Sequence, residues 1–149
     1  MNKVGVVKYM FFWQRRPTEL RVFTDSDWAS CPETRRSTSG GIIMLGNALV
    51  SHWSRTQATI ALSSAEAELN SLLKGAAEGL SLKQLGNELN IELPLKIRGD
   101  ASAVEGIVAR QGNGKIKHLE VRQLWIQQKV KEKMIEYIKV PRLENPSDH

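Results

Sequence analysis

The 149-residue chain predicts an α/β domain on a mixed five-stranded sheet, three antiparallel strands followed by two parallel ones, flanked by helices. Three observations lead there. Short β-rich runs fill the first third of the chain, and two of them meet at Gly46-Asn47, a pair that suits a hairpin turn. At Leu62 the apolar pattern changes from alternation to helical spacing. The two later strand-like runs are each reached through helical sequence, which makes them parallel to the first strand.

The elements follow in order. Residues 1–18 stand apart as an apolar and basic appendage; Pro17 disfavours helix at Arg16, and the domain proper is expected over residues 19–149. LRVFTDSDW (20–28) alternates as a strand until polar residues take over at Asp25. CPETRRSTSG (31–40) reads as a polar loop, and GIIMLG (41–46) and ALVSHWS (48–54) complete an antiparallel meander. Leu62, Ala65, Leu69, Leu72, Leu73, Ala76 and Leu80 then share one helical face, with Ser63 or Ser64 as N-cap. Gly75, Gly79 and Gly86 weaken the later turns and predict a break or fraying before Pro94. LKIRGD (95–100) is a fourth strand, and ASAVEGIVAR (101–110) a short helix followed by a Gly-rich basic loop. HLEVRQLWIQQKVKEK (118–133) is a long amphipathic helix with Leu119, Leu124, Trp125, Gln128 and Val130 inward, and MIEYIKV (134–140) is the last strand.

Composition narrows the function classes. With 41% hydrophobic and 25% charged residues, neither a disordered nor a membrane chain is favoured, and no run approaches the ~18 apolar residues of a membrane span. The N-terminus has no secretory signal pattern, and the single Cys31 has no internal disulfide partner, so a reducing, intracellular setting is the default. The net charge of +5 is uneven: residues 110–142 hold nine Lys/Arg against three Glu, as a polyanion-binding face would. Of the 16 acids only four are Asp: Asp25, Asp27, Asp100 and Asp148.

Asp25 and Asp100 both end strands at the edge of the sheet where ligands bind in such folds. Joined by an acid from a helix start, they would repel one another unless cations neutralised them. Oxygen-only donors select Mg²⁺ or Mn²⁺ over zinc. Two such ions about 4 Å apart can activate a water and stabilise the leaving oxygen of a phosphodiester.

FTDSDWASCPETRRSTSG, ALVSHWSRTQATIALSSAEAEL, IRGDASAV, KIKHLEVRQLWI and VPRLENPSD, in that order, resemble the RNase H domain of copia-type LTR retrotransposon polyproteins across residues 19–149. The resemblance implies an RNase H-like fold and an endonuclease that cuts the RNA strand of RNA–DNA hybrids. It also implies two Mg²⁺ ions, with Mn²⁺ able to substitute, held by four carboxylates: Asp25, a Glu of SSAEAEL, Asp100 and Asp148. Family register favours Glu68 for the second position. Helical phase does not decide, because Glu66 lies about 60° from Leu69 and Glu68 about 100° away on the other side. Asp27 reads as a loop cap. The first 18 residues resemble the end of a reverse transcriptase segment, so an adjacent reverse transcriptase domain is an implied partner, together with the hybrid and without a membrane. The implied setting is cytoplasmic, within retroelement particles. The competing reading is a catalytically inactive RNase H-like module that holds nucleic acid without cutting it.

Substrate contacts have their own candidates. Ser63 and Ser64 precede the acids at a helix start and suit the ribose 2′-OH or backbone, a role compatible with N-capping. Arg35, Arg36 and Arg55 flank the first hairpin, and Lys115, Lys117 and His118 enter the second long helix, where cations would meet phosphates. Trp28, Trp53 and Trp125 are expected to pack, with stacking on sugar or base as the alternative.

Overall fold

The computed structural model describes residues 13–99, 106, 120–141 and 145–146. The strands are β1 (Leu20–Asp27), β2 (Thr38–Leu45), β3 (Ala48–Thr56), β4 (Leu95–Gly99) and β5 (Glu136–Lys139), and the helices are α1 (Ser64–Glu88) and α2 (Glu120–Lys131). They form one sheet in the order β3-β2-β1-β4-β5. β1–β2 and β2–β3 are antiparallel, while β1–β4 and β4–β5 are parallel, which is the arrangement the sequence predicts. The predicted helix at 101–110 lies outside the described residues, apart from Gly106.

One face of the sheet carries the core. Leu20, Val22, Ile43, Leu95 and Ile97 meet Leu69, Leu72 and Ala76 of α1 in a continuous buried cluster, joined by Ile126 and Ile135. α1 lies close against this face because it carries glycines there. A Cβ on Gly75 would collide with the Thr24 methyl, and one on Gly79 would come within 2.9 Å of Leu95 and Val22. These glycines do not break the helix as their propensity suggests. α1 runs unbroken for 25 residues, the lost propensity being offset by close packing on the sheet.

Other expectations are corrected in detail. β2 begins at Thr38, so Thr38-Ser39-Gly40 is strand rather than loop, paired with Asp27, Ser26 and Asp25. Asp27 is accordingly the last paired residue of β1 and not a loop residue. Leu62 is exposed because it precedes the helix. On α2 the buried residue is Ile126, with Trp125 and Val130 partly buried, while Leu124 and Gln128 face outward; Leu119 lies outside the described residues. Gly46-Asn47 does close the β2–β3 hairpin, with Gly46 in the left-handed region (φ 59°). Gln14, within the predicted appendage, packs on this turn: its amide donates to the Leu45 carbonyl at 3.0 Å and its oxygen accepts the Asn47 N–H at 2.6 Å.

Candidate active site

Strand alternation turns Leu20, Val22 and Thr24 of β1 toward α1. At the C-terminal end of β1 the apolar pattern stops, and side chains from distant segments converge. The Ser71 hydroxyl, fully buried on α1, donates to the carbonyl of Asp25 at 2.6 Å and to that of Gly40 at 3.2 Å. The Asn145 amide donates to the Thr24 carbonyl at 3.0 Å. Asn145 is 2% exposed, so this residue is fastened beside β1.

The two candidate glutamates are used differently. Ser63 is the N-cap of α1, and its hydroxyl accepts the Glu66 N–H at 3.2 Å. Glu66 reaches back and accepts the Leu62 N–H at 2.8 Å, so Ser63 and Glu66 form a capping arrangement at the helix start. Glu68 instead points at β1. Its Oε1 accepts both the Ser26 hydroxyl at 2.7 Å and the Ser26 N–H at 3.2 Å. That places the Glu68 carboxylate against the residue next to Asp25, both residues being half-buried. Ser26 was not singled out in the sequence, and only its place between two aspartates hinted at a role.

Asp100 and Asp148 lie outside the described residues, as do Lys115, Lys117 and His118. Among the described residues no cluster of three or more His, Cys, Asp or Glu could hold a metal ion. The donor chemistry of the described pair still fits a hard cation: both are carboxylates, and that of Glu68 is anchored by a hydroxyl and an amide.

The other substrate candidates fall into two groups. Arg35 and Arg36 are exposed on the β1–β2 connection, where Arg35 takes a left-handed conformation (φ 55°). Ser64, exposed, opens α1. Arg55 lines a cleft of about 580 Å³ between the end of β3, α1 and α2. Lys74, Asn70, Arg122 and Trp125 also line it, and no acid is among its described lining residues. The sequence reading missed Lys74 and Arg122, because only the packing of α2 on α1 brings them to Arg55. Of the tryptophans, Trp53 packs on the core with Lys74 5.8 Å from its ring centre, and Trp28 donates its indole N–H to Ala61 at 3.1 Å. Trp125 does both jobs, packing on the core and facing the cleft.

Sheet order, mixed pairing and the placement of α1 define an RNase H-like fold. In structure the chain is similar to RNase H1 from Halobacterium salinarum, with a TM-score of 0.58, 15% identity and coverage of 87% of this chain and 90% of that one. It is also similar to LC11-RNase H1 in complex with an RNA/DNA hybrid, with a TM-score of 0.63, 14% identity and coverage of 86% and 89%. In sequence it is 28% identical over 131 residues to the retrovirus-related Pol polyprotein of transposon TNT 1-94 from Nicotiana tabacum. The match takes in 87% of this chain, and the chain spans 10% of that polyprotein's length. No family model matches the sequence. Fold and sequence relatives thus agree with the resemblance to the RNase H segment of a retrotransposon polyprotein. No helix among the described residues is long and apolar enough to cross a membrane.

Proposed function

We propose that this chain is a metal-dependent endonuclease that hydrolyses the RNA strand of RNA–DNA hybrids during retroelement reverse transcription. The observation that carries the proposal is the Glu68 carboxylate lodged on Ser26, beside Asp25, at the C-terminal end of β1 in an RNase H-like sheet. Asp25 and Glu68, with Asp100 and Asp148, are the proposed holders of two Mg²⁺ or Mn²⁺ ions. Bound there, such ions supply an activated water and charge stabilisation at the leaving oxygen.

The protein's own part is to hold these carboxylates together against their repulsion. Ser26 does this for Glu68 with two hydrogen bonds, and Ser71 and Asn145 do it for the backbone of β1 at the carbonyls on either side of the Asp25 Cα. Arg55, Lys74 and Arg122 make the cleft a seat for phosphates, with Trp125 offering a face to a sugar or base. Arg35, Arg36, Ser63 and Ser64 extend this contact surface in the proposal, as do Lys115, Lys117 and His118. We further propose that residues 1–18 belong to a preceding reverse transcriptase segment and 19–149 to the nuclease, working inside the cell in retroelement particles.

Incubation with labelled RNA–DNA hybrid, single-stranded RNA and duplex DNA, in Mg²⁺, Mn²⁺ or EDTA, tests the reading. The expected result is metal-dependent cleavage confined to the RNA strand of the hybrid. Asp25→Asn and Glu68→Gln should each lower the rate by at least about a hundredfold, while Glu66→Gln stays near the parent rate. Tight hybrid binding without cleavage in either metal would return the chain to the inactive binding module.

A further inference from the structure

Gln57 follows β3 and is only 7% exposed. Its side-chain amide donates both of its hydrogens, to the Ser39 hydroxyl at 2.9 Å and to the Ala67 carbonyl at 2.9 Å. Its oxygen accepts from the Asn70 amide at 3.1 Å, and its backbone N–H donates to the Ser37 carbonyl at 2.7 Å. A primary amide has two N–H donors and one carbonyl, so no other side chain of this size reproduces the set.

The partners are grouped around Glu68. Ala67 precedes it and Asn70 follows it by two residues, so the amide grips the start of α1 on both sides. Ser39 is the register partner of Ser26, the residue that holds the Glu68 carboxylate. The first turns of α1 are therefore pinned twice to one rung of the β1–β2 pair, through Glu68 on β1 and through Gln57 on β2. The chain of bonds also continues outward, since Asn70 Oδ1 accepts from Arg122 at 2.8 Å in the cationic cleft.

We infer that Gln57 is a positioning residue. It sets how far α1 sits along β1, and thereby the distance of the Glu68 carboxylate from the strand end, and through Asn70 it aligns Arg122 in the cleft. The inference rests on the reading of Glu68 as an active-site carboxylate. A glutamine that merely filled buried space would affect α1 as a whole; a positioning residue affects its first turns.

The test compares Gln57→Met, which keeps the length and removes the amide, with Ser81→Ala, which removes an exposed hydroxyl bond to the Ala77 carbonyl on the later part of α1 and touches neither the Gln57 network nor the cleft. In the methionine variant, amide hydrogen-exchange protection at residues 66–70 should fall by at least about tenfold while the later turns of α1 keep theirs. On hybrid substrate, kcat should fall about 10- to 100-fold with KM within about threefold, as expected when a reacting group is misplaced by a fraction of an ångström. Ser81→Ala should leave protection at residues 66–70 and kcat within about twofold of the parent. Loss of protection spread evenly along α1, or an equal fall of kcat in the two variants, overturns the inference. If Gln57→Met does not fold, Asn70→Ala releases one grip; it should lower protection at the same residues by about threefold, and no change there overturns the inference. If the parent cuts no hybrid, the nuclease reading fails, and exchange alone decides for Gln57: a localised loss upholds it and a uniform loss overturns it.

Discussion

β1 is held in two different ways along its length. Its first half is fixed by shape: Leu20 and Val22 are buried among Leu95, Ile97, Leu72 and Ala76, and α1 approaches closely at Gly75 and Gly79. Its last three residues before Asp27 are fixed by hydrogen bonds from far along the chain, namely from Asn145 to Thr24, from Ser71 to Asp25 and between Ser26 and Glu68. Magnitudes separate the two regions. A buried leucine or valine contributes about 1.5–3 kcal/mol, whereas a hydrogen bond nets about 0.5–1.5 kcal/mol once exchange with water is counted. Stability therefore resides in the apolar half. In the proposed nuclease the polar half sets where the Asp25 and Glu68 carboxylates sit, which bears on activity more than on stability.

The sharpest way to break this division is at the packed end. Gly79→Ala would raise helix propensity by about 1 kcal/mol on an open helix. Here the new methyl comes within 2.9 Å of both Val22 and Leu95. Overpacking of this kind costs about 1–3 kcal/mol, so the net sign is a loss, read as a fall of several degrees in thermal midpoint. A midpoint that rises would mean that α1 is free to lift from the sheet, and shape would not be what holds this half of β1.

At the polar end the corresponding substitution is Ser26→Ala. It removes the 2.7 Å hydroxyl bond to Glu68 and leaves the longer N–H bond in place. The expected outcome is a fall in hybrid cleavage of about tenfold, equivalent to about 1.4 kcal/mol in the transition state, with a loss of stability of no more than about 1 kcal/mol. Parallel rate measurements and thermal melts check it. A large stability loss with an unchanged rate would reverse the roles of the two ends.

The same division explains what could be read from the sequence. Period and turn chemistry are local, and they were enough for the sheet, its order of antiparallel and parallel strands, and the hairpin at Gly46-Asn47. Thr38-Ser39-Gly40 reads as loop because small polar residues carry no alternating pattern, yet their partners are the residues of the candidate site. Gly75 and Gly79 read as weak helix because propensity is local, whereas the sheet they pack on is not. The assignment of Glu66 to capping was legible in principle, since Ser63 and Glu66 have the spacing of a capping box. Gln57 and Arg122 were not legible at all. Their roles depend on partners ten or more residues away, which no spacing rule reports.

The smallest effect is expected on the open side of β1. Glu19, just before the strand, meets Lys96 at 2.9 Å, Arg21 at 3.6 Å and Arg98 at 3.7 Å. The hydrogen bond from Lys96 holds its carboxyl below the ordinary carboxylate value, against the opposing effect of burial and with help from the charges of Lys96, Arg98 and Arg21. A carboxyl lowered in the folded state adds stability that is fully present above its unfolded value and is lost as the pH falls through the folded one. Glu19→Gln should therefore lower the thermal midpoint by roughly 1–3 °C at neutral pH, given how little partly exposed pairs contribute. The gap between parent and variant should close in the acid range, and the cleavage rate should be unaffected at any pH where both are folded. A gap that persists in acid would show that Glu19 acts by packing rather than by charge. A change in rate would show that the ion cluster at the start of β1 reaches the carboxylates at its end, and the strand would then work as one unit.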